Sequence, residues 1–347
     1  MKTIGVLTGG GDCPGLNAAI RAVVRAGIRQ DYEVLGIRDG WQGLMNGDAK
    51  LLTDFSVSGI LSNGGTVLGT SRIDPLKDST DLPKIQQNMK KLGIHALVVV
   101  GGDGTLSAAR DLAERGIPLV GIPKTIDNDV VGTDTCIGFD TAVATVTEAI
   151  DRLHTTAESH HRIMVVEVMG REAGWLSLMA GIASGADDIL IPEVRFTMDE
   201  VCKNIMARHE TGKKFSIVVV AEGVRRADIG LPPVPDNIRD ECGHEKFVGV
   251  GNIVGKEIER RLKVETRVTI LGHIPRGGSP SAFDRVLATR FGVAAVQLIH
   301  YGEFGKMVAL QGNRITSIPL TTAVSYKKTV EPEFYDLAKI VIGGRRS

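Results

Sequence analysis

The chain has 347 residues, with 41 lysines and arginines balancing 41 aspartates and glutamates, and its 42 glycines make about 12% where about 7% is usual. Glycine excess without a Gly-X-Y period excludes a collagen-like chain, and 43% hydrophobic content excludes a disordered one. Zero net charge argues against a nucleic-acid or membrane surface as the main partner, because either favours a basic excess.

The length suits one large or two ordinary domains. TIGVLT (3–8) predicts a strand, and a glycine-rich stretch then leads into GLNAAIRAVVRAGIRQ (15–30). In that segment Leu16, Ile20, Val23, Val24 and Gly27 share one helical face. HALVVVGG (95–102) predicts a second strand, TLSAARDLAERG a helix, and PLVGI (118–122) a strand stopped by Pro123. A long helical stretch, GFDTAVATVTEAIDRLHTTAE, departs at Gly138, where a second domain is expected to begin. IMVVEVMG (163–170), FSIVVVAEG (215–223) and VTILGH (268–273) read as further buried strands. The polar segment 225–246, with Pro232, Pro233 and Pro235 close together, reads as a surface excursion. Strands alternating with helices imply an α/β chain of mostly parallel sheets, in which ligands sit beyond the carboxyl ends of strands. Cys13, Cys136, Cys202 and Cys242 lie far apart with no CxxC pair, as expected of unpaired thiols in a reducing cytosol. No apolar run approaches the roughly 18 residues of a spanning helix. The opening MKTIGVLTGGGD runs straight into a strand rather than a signal peptide. A soluble cytoplasmic protein is expected.

Three loops carry candidate chemistry. TGGGDCPGLN (8–17) joins a strand to a helix, where unobstructed backbone amides bind phosphate or simply make a tight turn. It matches neither GxxxxGK[ST] nor GxGxxG. GGDGT (101–105) places Asp103 at a second such junction, as an Mg²⁺ ligand or as a helix-capping aspartate. PKTIDND (123–129) presents Asp127 and Asp129 beside Lys124 and Thr125. There one carboxylate can accept a hydroxyl proton while the other faces a metal, and a solvated acidic turn is the plainer reading. Arg72, Arg162, Arg171, Arg267 and Arg276 are either surface charges or forks for phosphate oxygens. Arg171 and Arg276 follow apolar strands at the expected ligand edge, with His273 and Glu222 beside the same edge. Together these parts describe phosphoryl transfer between a donor and an acceptor that carries its own phosphate.

The residues resemble the 6-phosphofructokinase family over nearly the whole chain. LTGGGDCPGLNAAIRAVVR, GGDGT, PKTIDND, EAIDRL, VVEVMGR and LGHIPRGGSPSAFDR occur in the family's order. The resemblance implies two Rossmann-like, doubly wound domains with the active site in the cleft between them. Residues 1–138 with 276–328 would bind the donor, and 139–275 with 329–347 would bind fructose 6-phosphate. It implies that Asp127 takes the proton from the sugar 1-hydroxyl with Thr125 positioned nearby, and that Asp103 and Asp129 handle Mg²⁺. Gly11 and Arg72 would meet the transferring phosphate, with Gly102, Gly104, Thr105 and Lys124 on the donor side. Met169, Gly170, Arg171, Glu222, His273 and Arg276 would hold fructose 6-phosphate. Arg162 and Arg267 would reach a neighbouring subunit's site, so a homotetramer acting in glycolysis is implied.

Two departures from the family pattern bear on function. Glycine at both 104 and 124 goes with ATP, whereas aspartate at 104 and lysine at 124 go with pyrophosphate; this chain has Gly104 and Lys124. Gly104 leaves room for the α-phosphate, while Lys124 adds a cation suited to a short, highly charged donor yet able to swing aside. ATP is favoured, with Trp41 in DGW available to stack on adenine. In bacterial relatives an effector site binds ADP or phosphoenolpyruvate through basic residues, which Arg21, Arg25, Lys213 and Lys214 match. Asp54 and His154 stand where that pattern has arginine, which predicts a weak response. The competing readings are an NAD or lipid kinase, built on GGDGT alone, and a sensor of phosphometabolites without catalysis.

Overall fold

The computed structural model describes residues 2–225 and 249–342, so Cys242 and the 225–246 excursion beyond Arg225 lie outside the described residues. In chain order the first elements are β1 (Lys2–Thr8), α1 (Leu16–Arg29), β2 (Tyr32–Ile37), α2 (Trp41–Asn46), β3 (Ala49–Leu52), α3 (Asp81–Lys91), β4 (Ile94–Gly101), α4 (Asp103–Glu114) and β5 (Leu119–Pro123). There follow α5 (Phe139–His160), β6 (Ile163–Val168), α6 (Trp175–Ala183), β7 (Asp188–Leu190), α7 (Met198–Glu210), β8 (Ser216–Ala221), α8 (Val250–Leu262) and β9 (Thr266–Ile270). The last are α9 (Ala282–His300), β10 (Lys306–Gln311), β11 (Arg314–Pro319), α10 (Leu320–Ala323) and α11 (Pro332–Val341). The chain divides into two units, Met1–Thr141 with Arg276–Lys328 and Ala142–Pro275 with Thr329–Ser347, each taken here over its described residues.

The first unit holds a seven-stranded sheet ordered β11-β10-β5-β4-β1-β2-β3. Its central strands pair in parallel, and β3 and β11 run antiparallel at the edges. Helices cover both faces, so central strands need apolar side chains on both sides. Accordingly β1 exposes only Lys2, and β4 is buried except for the half-buried His95. The expected helical face of α1 is buried at Leu16, Ile20, Val23, Val24 and Gly27. Against it lies α9, whose Gly292 lets the helices touch: a Cβ there would sit 2.6 Å from that of Ala22 and 2.9 Å from the Ala19 carbonyl. The second unit holds an all-parallel sheet ordered β7-β8-β6-β9. β6 and β8 are buried at every residue. Val165, Val218 and Val220 form a core with Val254 and Ile258 of α8. The start of α7 is closed by a capping box, Glu200 N–H donating to Thr197 Oγ1 at 3.2 Å and Thr197 N–H to Glu200 Oε2 at 2.7 Å.

A buried carboxylate fastens the first unit's chain where α5 begins. Asp284, 0% exposed in the first turn of α9, accepts from Gly138 N–H at 2.8 Å, Thr141 N–H at 2.9 Å and Thr141 Oγ1 at 2.5 Å. Burial raises its pKa above the ordinary 3.8, and these three donors pull it back down. The carboxylate in turn meets backbone N–H groups at the start of α5, as a capping side chain does. Asp284→Ala should therefore cost about 3 kcal/mol by leaving buried donors unmet, read as a fall in denaturant midpoint. Asp284→Asn, which keeps an accepting oxygen, should lose clearly less; equal losses would mean the hydrogen bonds do not matter.

Candidate active site

The three loops expected to carry chemistry follow β1, β4 and β5, which are neighbours in one sheet. Parallel strands place successive carboxyl ends on one edge, so loops about 90 residues apart in sequence become adjacent.

The loop after β1 is tethered along its length. Gly9 N–H donates to Val100 O at 3.0 Å and Gly10 N–H to Ser71 O at 2.9 Å. Thr70 Oγ1 donates to Gly10 O at 2.6 Å and Arg276 Nη1 to Asp12 O at 3.2 Å. The bonds from Thr70 and Ser71 bring the GTSR segment to this loop, leaving Arg72 exposed at its edge. Glycine is favoured here: Gly10 has φ +79°, and a Cβ on Gly11, 2.5 Å from Arg276 Nη1, would push the guanidinium from its bond to Asp12 O. Thr105 packs on the same loop, 2.7 Å from where a Gly9 Cβ would be.

At the next junction Gly102 caps α4, and Asp103 is the first helical residue. Gly104 differs from the glycines around it, since a Cβ there would meet nothing within 4 Å. The acidic loop is shaped by a residue the sequence reading passed over. Asn128, 3% exposed at φ 52°, accepts from Cys136 N–H at 3.0 Å through Oδ1 and donates to Asp134 O at 3.2 Å through Nδ2. Asparagine tolerates the left-handed conformation, so DND itself carried that signal. With Asn128 turned inward, the half-buried Asp127 and Asp129 flank it. Thr125 Oγ1 accepts from Asp127 N–H at 3.1 Å, which ties the threonine to the backbone of the residue it was expected to accompany.

Asp129 is strongly perturbed. Its pKa rises to about 6, first from burial and then from the charges of Asp127 and Asp103, with Lys327 acting the other way. Its Oδ1 is buried without a hydrogen-bond partner. Among the described residues no three His, Cys, Asp or Glu side chains form a metal cage. A lone anionic oxygen next to two more carboxylates fits Mg²⁺, which keeps several waters and takes phosphate oxygens as ligands. Asp103 and Asp129 are the residues that would hold it.

Two donor-side expectations need correction. Trp41 begins α2 and is 1% exposed, packed in the core with Leu44, Leu97 and Leu106, so its indole offers no face to a base. Lys124 does not stand ready to swing aside. It is 2% exposed, its ammonium donating to Gly9 O at 3.1 Å and also to Gly11 O.

The second unit gathers the cationic candidates at its own strand ends. After β6 come buried Met169 and Gly170 (φ +145°), then Arg171, which meets Glu222 after β8 at 3.8 Å. Gly223 makes that approach feasible, because a Cβ there would lie 1.9 Å from Arg171 O. Arg162 and Arg267 share one acid that the sequence reading did not single out: Glu265 takes Arg162 Nε at 2.7 Å and Arg267 Nη2 at 2.5 Å. The Arg162 bond, with the charge of both arginines, holds the Glu265 carboxyl below its ordinary pKa. His273 is exposed beyond β9. Cys13, Cys136 and Cys202 are free thiols, and burial pushes Cys13 and Cys136 up to about 12, so neither is a nucleophile at neutral pH. No described helix is long and apolar enough to cross a membrane.

Two glycine-lined strand–helix junctions beside an acidic loop, on adjacent parallel strands, define a phosphate-handling enzyme of the α/β class. Residues 3–299 match the family model described as Phosphofructokinase. The chain is 53% identical over 342 residues to a pyrophosphate–fructose 6-phosphate 1-phosphotransferase of Streptomyces coelicolor, covering 98% of this chain and 99% of that one. It is 51% identical over 342 residues, with the same two coverages, to an ATP-dependent 6-phosphofructokinase of Mycobacterium tuberculosis. Among solved structures, Pichia pastoris phosphofructokinase in the T-state superposes with TM-score 0.82 at 35% identity, covering 98% of this chain and 36% of that longer one. A pyrophosphate-dependent phosphofructokinase from Nitrosospira multiformis, 21% identical, shares the fold with TM-score 0.83 over 99% of this chain and 93% of its own. The chain belongs to the phosphofructokinase family.

The raised Asp129 pKa sets a stability prediction. Moving a carboxyl from the ordinary 3.8 to about 6 disfavours its charged form by about 3 kcal/mol. The folded state binds the proton more tightly than the unfolded chain, so this penalty is full above about pH 6 and absent below about pH 4. In metal-free buffer near neutral pH, Asp129→Asn should therefore raise the melting temperature. The gain should fade as pH drops through that window, and a lower melting temperature at neutral pH would refute the burial argument.

Proposed function

We propose that the protein transfers a phosphoryl group from ATP to the 1-hydroxyl of D-fructose 6-phosphate, giving fructose 1,6-bisphosphate. Family membership carries the coarser statement, that the chain is a phosphofructokinase. Relatives of similar identity bear both donor names, so likeness does not choose between ATP and pyrophosphate. The choice of ATP rests on Gly104. A side chain there would project into space where it meets no protein atom within 4 Å, so packing does not explain the glycine, whereas a nucleotide's extra phosphate would use the space. Pyrophosphate remains the second reading, favoured by the name of the 53% identical relative.

In this reading Asp127, steadied through its N–H by Thr125, removes the proton from the attacking hydroxyl, a contribution on the order of 10²–10⁴-fold. Gly11 and Arg72 meet the phosphoryl group in flight, their charge and amide dipoles opposing the negative charge that develops there. Mg²⁺ on Asp103 and Asp129 would neutralise donor phosphate oxygens. In the second unit Arg171 with Glu222 would address the sugar phosphate, joined by Met169, Gly170 and His273, while Arg276 of the first unit would add a further cation. Self-association as a homotetramer, in which Arg162 and Arg267 serve a neighbour's site, belongs to the same proposal. So do the donor-binding role of the first unit and the substrate-binding role of the second.

The effector expectation gains a physical reason. Arg25 is paired with Asp54 at 3.5 Å, and His154 Nε2 lies 2.8 Å from Ser184 O. Neither replaced position therefore adds a free cation to Arg21, Lys213 and Lys214.

Product analysis decides the function. Purified protein with Mg²⁺ and fructose 6-phosphate should form fructose 1,6-bisphosphate faster with ATP than with pyrophosphate, and Asp127→Asn should lose at least about 10²-fold in kcat. Gly104→Asp should depress kcat/KM for ATP far more than for pyrophosphate. No product with either donor would sink the reading, and a higher kcat/KM for pyrophosphate would reverse the donor assignment. Adding ADP or phosphoenolpyruvate at subsaturating fructose 6-phosphate should shift the saturation curve little. A strong sigmoidal response would overturn the effector argument.

A further inference from the structure

Burying an ammonium is unfavourable unless its protons find partners. Lys124 is 2% exposed, and desolvation pulls its pKa below the ordinary lysine value. Its partners are Gly9 O at 3.1 Å and Gly11 O, alternate carbonyls of the loop after β1. The carbonyl between them, Gly10 O, takes the Thr70 hydroxyl at 2.6 Å, and the next, Asp12 O, takes Arg276 Nη1 at 3.2 Å. Four consecutive carbonyls, residues 9–12, are each engaged by a side-chain donor. Among the described residues, the N–H groups of Gly11 and Asp12 have no backbone carbonyl partner. The lysine thus fills half of a lock that consumes the loop's acceptors and leaves donors for an anion. Two of its three ammonium protons are thereby spent on the loop, and swinging the side chain over to a donor phosphate would give up both carbonyls, where a buried group left unmet costs about 1–3 kcal/mol.

We propose that Lys124 is a positioning residue that acts on the phosphoryl donor through the loop, holding the carbonyls of Gly9 and Gly11 away so that the loop presents its amides to the transferring phosphate. Its contribution is therefore the same for ATP and for pyrophosphate. Lysine at 124 beside glycine at 104 is then no contradiction, because the two residues do different things. The inference rests on the reading of this loop as the donor site.

The test compares Lys124→Met, Thr70→Val and Thr70→Ser with the wild type, each assayed with every donor the wild type uses. Both Lys124→Met and Thr70→Val should lower kcat/KM for each donor by about 10- to 100-fold, the loss expected of a misplaced reacting group. The ratio between donors should move by less than about threefold, with KM for fructose 6-phosphate unchanged. Thr70→Ser, which keeps the hydroxyl, should restore most of the activity. Loss confined to pyrophosphate in Lys124→Met would assign the lysine as a direct ligand and overturn the proposal, as would no loss in either variant. Amide hydrogen exchange at residues 11–13 gives a readout without turnover. Both variants should speed it at least about tenfold, and unchanged exchange overturns the lock. A wild type inert with both donors would defeat the proposed function, and exchange would still decide the lock. Should Lys124→Met fail to fold, Thr70→Val against Thr70→Ser carries the comparison with the same two outcomes.

Discussion

A parallel strand covered by helices on both faces has no place for a polar side chain except at its ends, and this constraint organises the protein. β6 and β8 are buried throughout, and β1 and β4 nearly so. Most of the candidate groups consequently lie at or just beyond the strand ends. In the first unit these are the two glycine junctions and the acidic loop; in the second they are the segments carrying Arg171 and Glu222. Glycine is abundant because such loops must turn within a few residues while other groups press on them. At Gly11 the pressing group is Arg276, at Gly9 it is Thr105, and at Gly223 it is the backbone of Arg171.

The same constraint explains what the sequence disclosed. Unbroken β-branched runs such as HALVVVGG are visible because burial on both faces forces them, and β4, β5, β6 and β8 lie where such runs occur. Edge strands were less legible: VTILGH marked β9, which is mostly half-buried or exposed rather than buried, while β11, mostly half-buried, and β7, only three residues long, were not singled out. Catalytic candidates stood out where chemistry compresses functional residues into a few positions, as in PKTIDND. What escaped was whatever depends on a partner distant in sequence. Trp41 follows a glycine and looks available for stacking, but the packing of α2 into the core decides its exposure. Lys124 looks like a free cation until Gly9 and Gly11, 115 and 113 residues earlier, supply its acceptors. Glu265 gave no signal and Asp284 showed only as part of SPSAFDR, because their roles consist of holding segments that the chain alone does not bring together.

The carboxylates of the first unit show a balance between stability and use. Three aspartates in neighbouring loops repel one another, and the raised pKa of Asp129 is the measure of that repulsion added to burial. Such an arrangement persists when something other than folding favours it, and a divalent cation is the simplest counter-charge. Lys327 reaches Asp129 electrostatically but leaves its Oδ1 unbonded, so protein cations do not complete the site.

The arginines of the second unit follow the opposite logic. Arg162 and Arg267 are shared by Glu265, and Arg171 lies near Glu222. Ion pairs this exposed are worth about 1 kcal/mol or less, so they orient a guanidinium without trapping it. A phosphate brings two negative charges and more acceptor oxygens than a carboxylate, and it meets the planar fork bidentately. Were a phosphate to take the acid's place, the exchange would therefore release little and gain more. Glu265 holds two arginines with one charge, so the cluster retains a net positive charge even when paired. In the proposed reading that surplus would favour a sugar phosphate, and a one-to-one pair would lack it.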